Sequence, residues 1–333
     1  MHYTNLGDSG LTVSRICLGT MMFADRTDEA EAGRIVDLAR DAGVNFIDTA
    51  DQYSRGGAEE MVGRLIAADR HDWVLASKVG NPMSDKPNET GLSRKWMMRA
   101  IDDSLKRLGT DHLDIYYLHL DDWETPLEET LGAMGDIIAA GKARSFGVSN
   151  YLGWRIVEIV NLSAAMGLGR PVVCQPYYNA MNRLPEVEIL PACDYHGIGV
   201  VPYSPLARGV LTGKYAPGAA PSEGTRAGRG DKRMLESEFR PESIEIAQKL
   251  QAHIAGRGLT LGQWALNWVL ANPIVDAAIA GPRTTEHWQE NLGALEHAWD
   301  EADEAVLDAL VAPGHPSTPG YSDPSYPLRG RPV

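Results

Sequence analysis

The chain of 333 residues contains little cysteine: Cys17, Cys174 and Cys193 are its only three. They are widely spaced and lack the spacing of metal ligands, so no metal site is predicted. Cys17 and Cys174 fall inside apolar runs. We therefore expect these two thiols to be buried, reduced and structural.

Long hydrophobic runs and an excess of basic residues are also missing. No apolar run approaches the roughly 18 residues of a membrane span, and the amino terminus has no basic stretch followed by an apolar one. The 31 basic and 45 acidic side chains give a formal net charge of -14. Such a surface repels nucleic acid and anionic membrane. We expect a cytoplasmic protein whose partner is a small molecule; the oligomeric state, a homo-oligomer included, stays open.

Strand-like and helix-like patterns alternate along the chain with a loose period of about 30 residues, which is typical of βα units. Eight such units predict an α/β fold, a closed (β/α)8 TIM barrel, in a single domain of residues 1–333. The eight predicted strands span residues 16–19, 44–48, 73–78, 113–119, 143–149, 172–175, 198–204 and 275–281. Before them, the turn-rich segment 3–15 predicts a β-hairpin that closes the barrel floor.

Two segments depart from this alternation. Residues 207–239 are rich in glycine, proline and charge, and a loop this long inside a barrel is usually functional. We predict a lid over cofactor or substrate after the seventh strand, with a disordered spacer as the alternative. The tail, residues 313–333, is dominated by proline and small polar residues and cannot form a helix. It is either a disordered end or a strap packed on the barrel.

Polar side chains follow three of the predicted strands in the first 120 residues: Asp48 and Tyr53, Lys78, and His119. The carboxyl ends of parallel strands meet at one edge, so these groups are expected to converge. A free tyrosine holds its proton until about pH 10, unless a cation such as Lys78 stabilises the phenolate. Asp48 supplies the counter-ion that a buried ammonium needs.

These four residue types predict a general acid aimed at a C=O group, because His119 can hydrogen-bond a carbonyl oxygen and orient it. Taken singly, each also has a structural explanation. Asp48 could cap a loop, Tyr53 could be a half-buried aromatic residue, Lys78 a rim lysine and His119 a loop histidine.

The sequence resembles the aldo-keto reductase family over nearly its whole length. The similar blocks, in the family's order, are GLTVSRICLGTMMF, NFIDTADQYSRGGAEEMVG, SLKRLGTDHLDIYYLH, TPLEETLGAM, GKARSFGVSNY, VVCQPYYN, VVPYSPLARGVLTGKY and AIAGPRTTEHWQENLGAL. The form that these blocks take here is most similar to the branch of aryl-alcohol dehydrogenase-like enzymes, glyceraldehyde-phosphate reductases and potassium-channel beta subunits. The resemblance implies that Tyr53 is the proton donor, tuned by Lys78 and Asp48, and that His119 orients the substrate.

The carboxyl half contains no GxGxxG, so nucleotide binding must come from barrel loops and a helix amino terminus. Arg283 follows the eighth strand, and Thr284 and Thr285 open a helix there, an arrangement that binds phosphate. It favours NADP(H) over NAD(H), whose ribose lacks the 2'-phosphate. Backbone N–H groups between Ser204 and Gly209 are expected to hold a pyrophosphate.

The resemblance adds further cofactor contacts. It implies that Ser149, Asn150 and Gln175 hold the nicotinamide amide, and that Tyr203 stacks on the ring. It places Glu290 and Asn291 at the adenine end and Arg226 at the 2'-phosphate, whereas His287 stands where related chains commonly carry glutamine. The predicted cofactor-binding residues are Gly19, Thr20, Ser149, Asn150, Gln175, Tyr203, Ser204, Leu206, Gly209, Lys214, Arg226, Gly281, Arg283, His287, Glu290 and Asn291.

Four side chains are expected to border a carbonyl near Tyr53 and His119: Met22, Phe23, Trp123 and Tyr178. Such a rim suits an aromatic or aliphatic aldehyde, with ordinary packing as the alternative. The sequence thus predicts an NADPH-dependent oxidoreductase that reduces an aldehyde or ketone to an alcohol. The alternative is an NADPH-binding redox sensor or accessory subunit with incidental turnover. A phosphate-binding isomerase barrel would leave the tyrosine, lysine and aspartate cluster without a function.

Overall fold

The computed structural model describes residues 1–327, so the last part of the predicted tail, residues 328–333, lies outside the described residues. The chain groups into two compact units. The first consists of Met1–Pro176, Glu188–Tyr203 and Pro273–Leu292. The second consists of Tyr177–Val187, Ser204–Asn272 and the residues from Gly293 onward.

The strands all lie in the first unit. They are β1 (Tyr3–Asn5), β2 (Thr12–Ser14), β3 (Ile16–Gly19), β4 (Phe46–Asp48), β5 (Val74–Val79), β6 (Leu113–Leu118), β7 (Ala143–Ser149), β8 (Val173–Gln175), β9 (Gly199–Val200) and β10 (Ala278–Ala280). Strands β3 to β9 pair in parallel in sequence order, and β10 pairs with β3. The Ile279 N–H donates to the Pro202 carbonyl at 2.9 Å, which joins the two remaining edges. The sheet therefore closes as the predicted (β/α)8 barrel does.

Most of the predicted strands occur within a residue or two of their expected bounds, and β7 matches them fully. The seventh barrel strand does not: β9 covers two residues instead of residues 198–204. Pro202 has no N–H for a ladder, and Ser204 has a left-handed φ of 56°. The regular strand therefore ends at Val200, although the N–H groups of Val201 and Tyr203 still donate to the Cys174 and Pro176 carbonyls.

The amino-terminal hairpin is present, since β1 and β2 pair antiparallel with Tyr3 opposite Ser14. Leu6 and Val13 are fully buried and belong to the same core cluster as Phe46 and Tyr117. Hydrophobic burial therefore fixes the hairpin. That it forms the floor of the barrel stays a prediction.

Helices lie between the strands and after the last one. They are α1 (Glu29–Asp41), α2 (Gly57–Ile66), α3 (Arg94–Leu108), α4 (Leu127–Ala139), α5 (Gly153–Ala165), α6 (Ile189–Tyr195), α7 (Lys232–Ser237), α8 (Pro241–His253), α9 (Leu261–Ala271), α10 (Thr285–Gly293) and α11 (Glu301–Leu310). Helix α3 shows why the bounds are readable: the Ser93 side chain accepts from Trp96 N, and Gly109 ends the helix with a φ of 63°.

The second unit contains both segments that depart from the alternation. Within residues 207–239 the chain forms a 3-10 turn at Ala207–Thr212 and the short helix α7, joined by irregular turns. The tail packs inside the same unit: Ser317 N donates to Met181 O at 2.9 Å. The Arg240 guanidinium lies 3.7 Å from the centroid of the Tyr321 ring. As far as residue 327, the tail therefore makes defined contacts within the second unit. That it is a strap packed on the barrel stays a prediction.

The cysteines and the lengths of the helices can be compared with the sequence predictions. Cys17, Cys174 and Cys193 are all buried and free, as expected for the first two. Among the helices of the described residues, none is both long and apolar enough to cross a membrane.

Candidate active site

The parallel register brings the predicted catalytic residues to one end of the first unit. Asp48 is the last residue of β4 and lies opposite Ala76 of β5, while Lys78 of β5 lies opposite Tyr117 of β6. His119 follows β6 directly, and its N–H donates to the Val79 carbonyl at 2.8 Å. All three positions therefore share the carboxyl edge of the sheet, where the loops of such barrels carry function.

Lys78 is the centre of the group. Its side chain is fully buried, and its Nζ lies 2.5 Å from Asp48 Oδ1, 2.7 Å from the Thr49 carbonyl and 3.3 Å from Tyr53 Oη. Three oxygen partners match the three protons of an ammonium. The predicted pairing of Tyr53, Lys78 and Asp48 is thus present as a connected hydrogen-bonded group.

The electrostatics of the group keep Lys78 charged. Burial acts to lower the pKa of Lys78, but the Asp48 carboxylate and the Tyr53 hydroxyl outweigh it, so that pKa lies above its ordinary value. A fixed positive charge beside a phenol stabilises the phenolate that forms when the proton leaves. The geometry therefore suits Tyr53 for proton donation.

His119 lies edge-on to Tyr53, with ring centroids 6.0 Å apart at an interplanar angle of 79°. Burial, followed by the nearby Lys78 charge, holds the pKa of His119 well below its ordinary range. The imidazole is therefore neutral at physiological pH and carries one N–H donor. Its Nδ1 has no hydrogen-bond partner among the described residues.

Tyr53 begins a turn whose backbone is strained. Ser54, Arg55 and Gly56 follow one another with φ values of 50°, 52° and 92°. Left-handed backbone costs a residue other than glycine about 1 kcal/mol or more, and such strain clusters at functional sites. The Ser54 hydroxyl donates to the Phe23 carbonyl at 2.9 Å and so helps to hold the turn.

The residues predicted to hold the nicotinamide join the same group. Gln175 Nε2 donates to Asp48 Oδ2 at 3.0 Å, and Ser149 Oγ donates to the Gln175 carbonyl at 2.9 Å. The Tyr203 hydroxyl donates to Asn150 Oδ1 at 2.8 Å. These four side chains thus lie at the ends of β7, β8 and β9 beside the catalytic group.

Two further predicted cofactor residues, Gly19 and Thr20, also lie next to Asp48. Gly19 is its neighbour in the parallel register, and Thr20 Oγ1 donates to the Asp48 carbonyl at 2.9 Å. The end of β3 therefore belongs to the site.

The helix predicted after β10 is present, and an anionic side chain already contacts its amino terminus. Helix α10 begins at Thr285, and the Thr285 N–H donates to Glu31 Oε1 at 2.6 Å. This backbone hydrogen bond, followed by Arg34, lowers the pKa of Glu31. A carboxylate of the chain itself therefore occupies one N–H of the helix terminus predicted to bind phosphate.

The other residues of this segment take varied positions. Gly281, Arg283 and His287 are exposed, Glu290 is partly buried and Asn291 is buried. Arg283 is held through its backbone, because its carbonyl accepts from Thr27 Oγ1 at 2.9 Å.

The second unit holds the predicted phosphate-binding residues Ser204, Leu206, Gly209, Lys214 and Arg226. Between Ser204 and Gly209, not every backbone N–H is available to bind a pyrophosphate. Those of Ala207 and Gly209 already donate to the Ser204 and Leu206 carbonyls. The Lys214 ammonium lies so close to Gly209 that an added Cβ would stand 2.8 Å from Nζ. The φ of 99° at this position, more than this movable contact, is what favours glycine there.

Cations are crowded in the same part of the second unit. Burial lowers the pKa of Arg226, Asp231 opposes this, and the charges of Arg208 and Arg229 lower it further. Arg208 Nε is buried without a hydrogen-bond partner among the described residues. An anion such as a phosphate would complement these charges, so the residues present fit the predicted cofactor.

The four substrate candidates do not share one environment. Met22 and Trp123 are partly exposed in the first unit, whereas Phe23 is fully buried there. Tyr178 is buried in the second unit, where its hydroxyl donates to Glu186 at 2.8 Å. Phe23 and Tyr178 are therefore placed as packing residues.

Trp123 has two neighbours that sequence reasoning missed. Its ring centroid lies 5.8 Å from that of Trp154, and the Arg155 guanidinium lies 5.0 Å from the Trp123 ring. Trp154 is 51% exposed. Trp154 and Arg155 lie in the first turn of α5, whereas Trp123 follows β6. No local sequence pattern indicates that these positions meet.

Within the described residues, no group of three or more histidine, cysteine, aspartate or glutamate side chains could hold a metal ion. A closed parallel barrel has at its carboxyl end a buried lysine and aspartate in contact with a partly exposed tyrosine, and a neutral histidine beside them. These features define a class of barrel equipped for proton transfer. The chain belongs to the Aldo/keto reductase family of oxidoreductases, which it matches over residues 15–312.

Individual relatives support this assignment. The chain is 39% identical to the "Probable voltage-gated potassium channel subunit beta" of Arabidopsis thaliana over 303 residues, 89% of this chain and 92% of the relative. It is 38% identical to the "Uncharacterized oxidoreductase YrpG" of Bacillus subtilis (strain 168) over 339 residues, 97% and 100% of the two chains. It is 33% identical to the "L-glyceraldehyde 3-phosphate reductase" of Escherichia coli (strain K12) over 325 residues, 94% and 93% of the two.

Proposed function

We propose that this protein reduces an aldehyde or ketone to an alcohol with NADPH as the reductant. The observation that supports this best is the contact of the buried Lys78 ammonium with both Asp48, at 2.5 Å, and Tyr53, at 3.3 Å. A bound reduced nicotinamide supplies the hydride. The chain's own task is to place the carbonyl and to deliver a proton to its oxygen.

The proposed roles follow from the contacts. Tyr53 Oη donates its proton to the carbonyl oxygen, and Lys78 stabilises the phenolate left behind. Neutral His119 donates a hydrogen bond to the same oxygen and orients the carbonyl. Asp48 keeps Lys78 charged inside the apolar barrel.

The proposed cofactor is NADP(H). Ser149, Asn150 and Gln175 would bind the nicotinamide amide, and Tyr203 would stack on its ring. In the second unit, the charges of Arg208 and Arg229 both act on Arg226, and this concentration of positive charge supports a role in binding phosphate. The exposed Arg283 is proposed to contact the 2'-phosphate.

The proposed substrate carries an aromatic or bulky apolar group. Trp123, Trp154 and Arg155 form a cluster in the first unit, in which the two indole rings are inclined at 57° and Trp154 is 51% exposed. Aromatic rings with an adjacent guanidinium provide stacking surface for a planar group. Three reduced cysteines agree with a cytoplasmic location, which is also proposed.

A panel of aryl and alkyl aldehydes and ketones, assayed by NADPH oxidation at steady state, tests the proposal. We expect many turnovers with at least one class of carbonyl compound, and faster turnover for aryl substrates. The similarity to the potassium-channel beta subunit favours a second candidate, an NADPH-binding sensor or accessory subunit. Slow turnover that stops after one equivalent with every substrate would support the sensor and overturn the enzyme.

A further inference from the structure

A second set of buried polar side chains lies between the Tyr53 turn and helix α3. Asp51 is 1% exposed, and neither of its carboxyl oxygens has a hydrogen-bond partner among the described residues. Its neighbour Glu59 is fully buried and accepts from Ser77 Oγ at 2.5 Å and from Arg107 Nε at 2.7 Å. Glu59 therefore has two side-chain partners, whereas the Asp51 carboxyl has none among the described residues. The backbone N–H of the next residue, Gln52, acts on it but does not meet the geometry of a full hydrogen bond.

Asp51 faces a cavity of about 190 Å³. The cavity is lined by Asp51, Met83, Glu89, Trp96, Arg99, Ala100, Asp103 and Arg107. Arg99 and Asp103 are well exposed, with 61% and 43% of their side chains accessible. Water can therefore reach the cavity, and a proton on Asp51 can exchange with solvent.

Arg107 connects Glu59 and the cavity to the turn that carries Tyr53. It packs against Gly56 so closely that an added Cβ there would lie 2.5 Å from Arg107 Cδ. Gly56 is the third successive left-handed residue of the turn that carries Tyr53. Because that turn is strained, it depends on its neighbours to keep its shape, and Arg107 is one of them.

Asp51 is also tied to Lys78 through the backbone, since the Asp51 N–H lies 3.4 Å from the Lys78 carbonyl. The titratable and charged groups that act on it are Glu59 of α2, Arg107 of α3 and Lys78 of β5, with the Tyr116 phenol of β6 also coupled to it. Burial, followed by the Glu59 charge, raises the pKa of Asp51 to about 8. The carboxyl is therefore uncharged at neutral pH.

We propose that Asp51 is a positioning residue for the turn that carries Tyr53. While its carboxyl is uncharged, Arg107 stays paired with Glu59 and packed against Gly56. When the carboxyl ionises, it draws Arg107 away and loosens the turn. A buried carboxylate without a partner is costly. Arg107 lines the same cavity, and its charge already acts on Asp51, so it can supply one. Arg107 cannot serve Asp51 fully without weakening its bond to Glu59. The effect on turnover rests on the proposed function, because it acts through Tyr53.

Hydrogen exchange of the full-length wild-type protein tests the structural part without any variant. We expect the backbone amides of residues 52–57 to lose protection as the pH rises from 7 to 9, after correction for the intrinsic pH dependence of exchange. Protection that stays constant over this range would overturn the proposal. This readout does not depend on Tyr53 being the proton donor.

The pH profile of turnover tests the catalytic part. Asp51→Asn has nearly the same shape and cannot ionise, and Asp103→Asn is the matched control in the same cavity. We expect kcat of the wild type and of the control to fall about tenfold between pH 7 and 9, and kcat of Asp51→Asn to stay within about twofold. An equal fall in all three proteins would remove Asp51 from the reaction. Should Asp51→Asn fail to fold, the wild-type exchange experiment decides alone.

Discussion

At the residue scale, the central feature is that Lys78 and Asp48 are buried together and each needs the other. Lys78→Met should lower kcat by about 10²-fold or more, because the phenolate of Tyr53 loses the charge that stabilises it. It should also lower the midpoint of thermal unfolding, since Asp48 keeps Gln175 as a partner but loses the ammonium. Steady-state assays and thermal melts measure the two effects.

The double variant Asp48→Asn/Lys78→Met separates stability from catalysis. Removing both charges leaves no buried ion without a partner, so the melting midpoint should recover most of the loss. The catalytic rate should not recover. A double variant that regained activity would show that the pair serves the fold alone.

Sequence reasoning found these residues because each follows an apolar run, and the ends of parallel strands converge in any barrel. The same reasoning missed Asp51, Glu31 and Arg107. Asp51 lies in the same segment as Asp48 and Tyr53, but nothing in its spacing shows that its oxygens would be buried without partners. Glu31 meets Thr285 across 254 positions of sequence, a contact that no local pattern encodes.

At the scale of secondary-structure elements, the amino terminus of α10 already has an anionic partner in Glu31. Glu31→Gln should strengthen NADPH binding relative to NADH by about twofold to fivefold, the worth of one charge at a helix terminus. Fluorescence titration of both nucleotides measures the ratio. Glu29→Gln is the matched control, because Glu29 lies in the same first turn of α1 but pairs with Arg64.

Arg283→Ala should act in the opposite direction at the same terminus. It removes the guanidinium proposed to meet the 2'-phosphate, so NADPH affinity should fall far more than NADH affinity. Equal losses for the two nucleotides would mean that the 2'-phosphate is bound elsewhere.

The elements themselves were largely predictable. Ser93 and Gly109 mark the ends of α3, and the apolar run of β7 has the same bounds in sequence and structure. The β9 strand was predicted too long because an apolar run containing Pro202 reads as a strand, although proline cannot donate to the ladder. The tail had no periodicity, and its packing depends on contacts distant in sequence, such as the hydrogen bond from Arg240 to Ser317.

At the scale of the whole molecule, Asp51 should make stability depend on pH. Its pKa is about 8 in the folded protein against an ordinary value of 3.8. The folded state therefore binds more protons than the unfolded state between these values, and stability falls as pH rises through this window. The loss should reach about 1.4 kcal/mol per pH unit at most.

Denaturant unfolding between pH 5 and 8 measures this dependence. The free energy of unfolding of Asp51→Asn should change less over this range than that of the wild type, because the amide does not titrate. Identical slopes for both proteins would show that Asp51 does not bind its proton in the folded state.

The barrel itself was the most predictable feature, because eight βα units leave few alternative architectures. The grouping of the chain into two units was not predicted. Tyr177–Val187, a short segment between β8 and α6, belongs to the second unit, and its sequence shows no linker or change of composition that would mark it.

The proton donor is the central claim, and Tyr53→Phe tests it most directly. The substitution removes one hydroxyl and keeps the ring that lies beside His119. NADPH affinity, measured by fluorescence titration, should stay nearly unchanged, while single-turnover reduction of the best carbonyl substrate should slow by about 10²-fold or more. A Tyr53→Phe protein that bound NADPH normally and reduced the substrate at the wild-type rate would contradict the account.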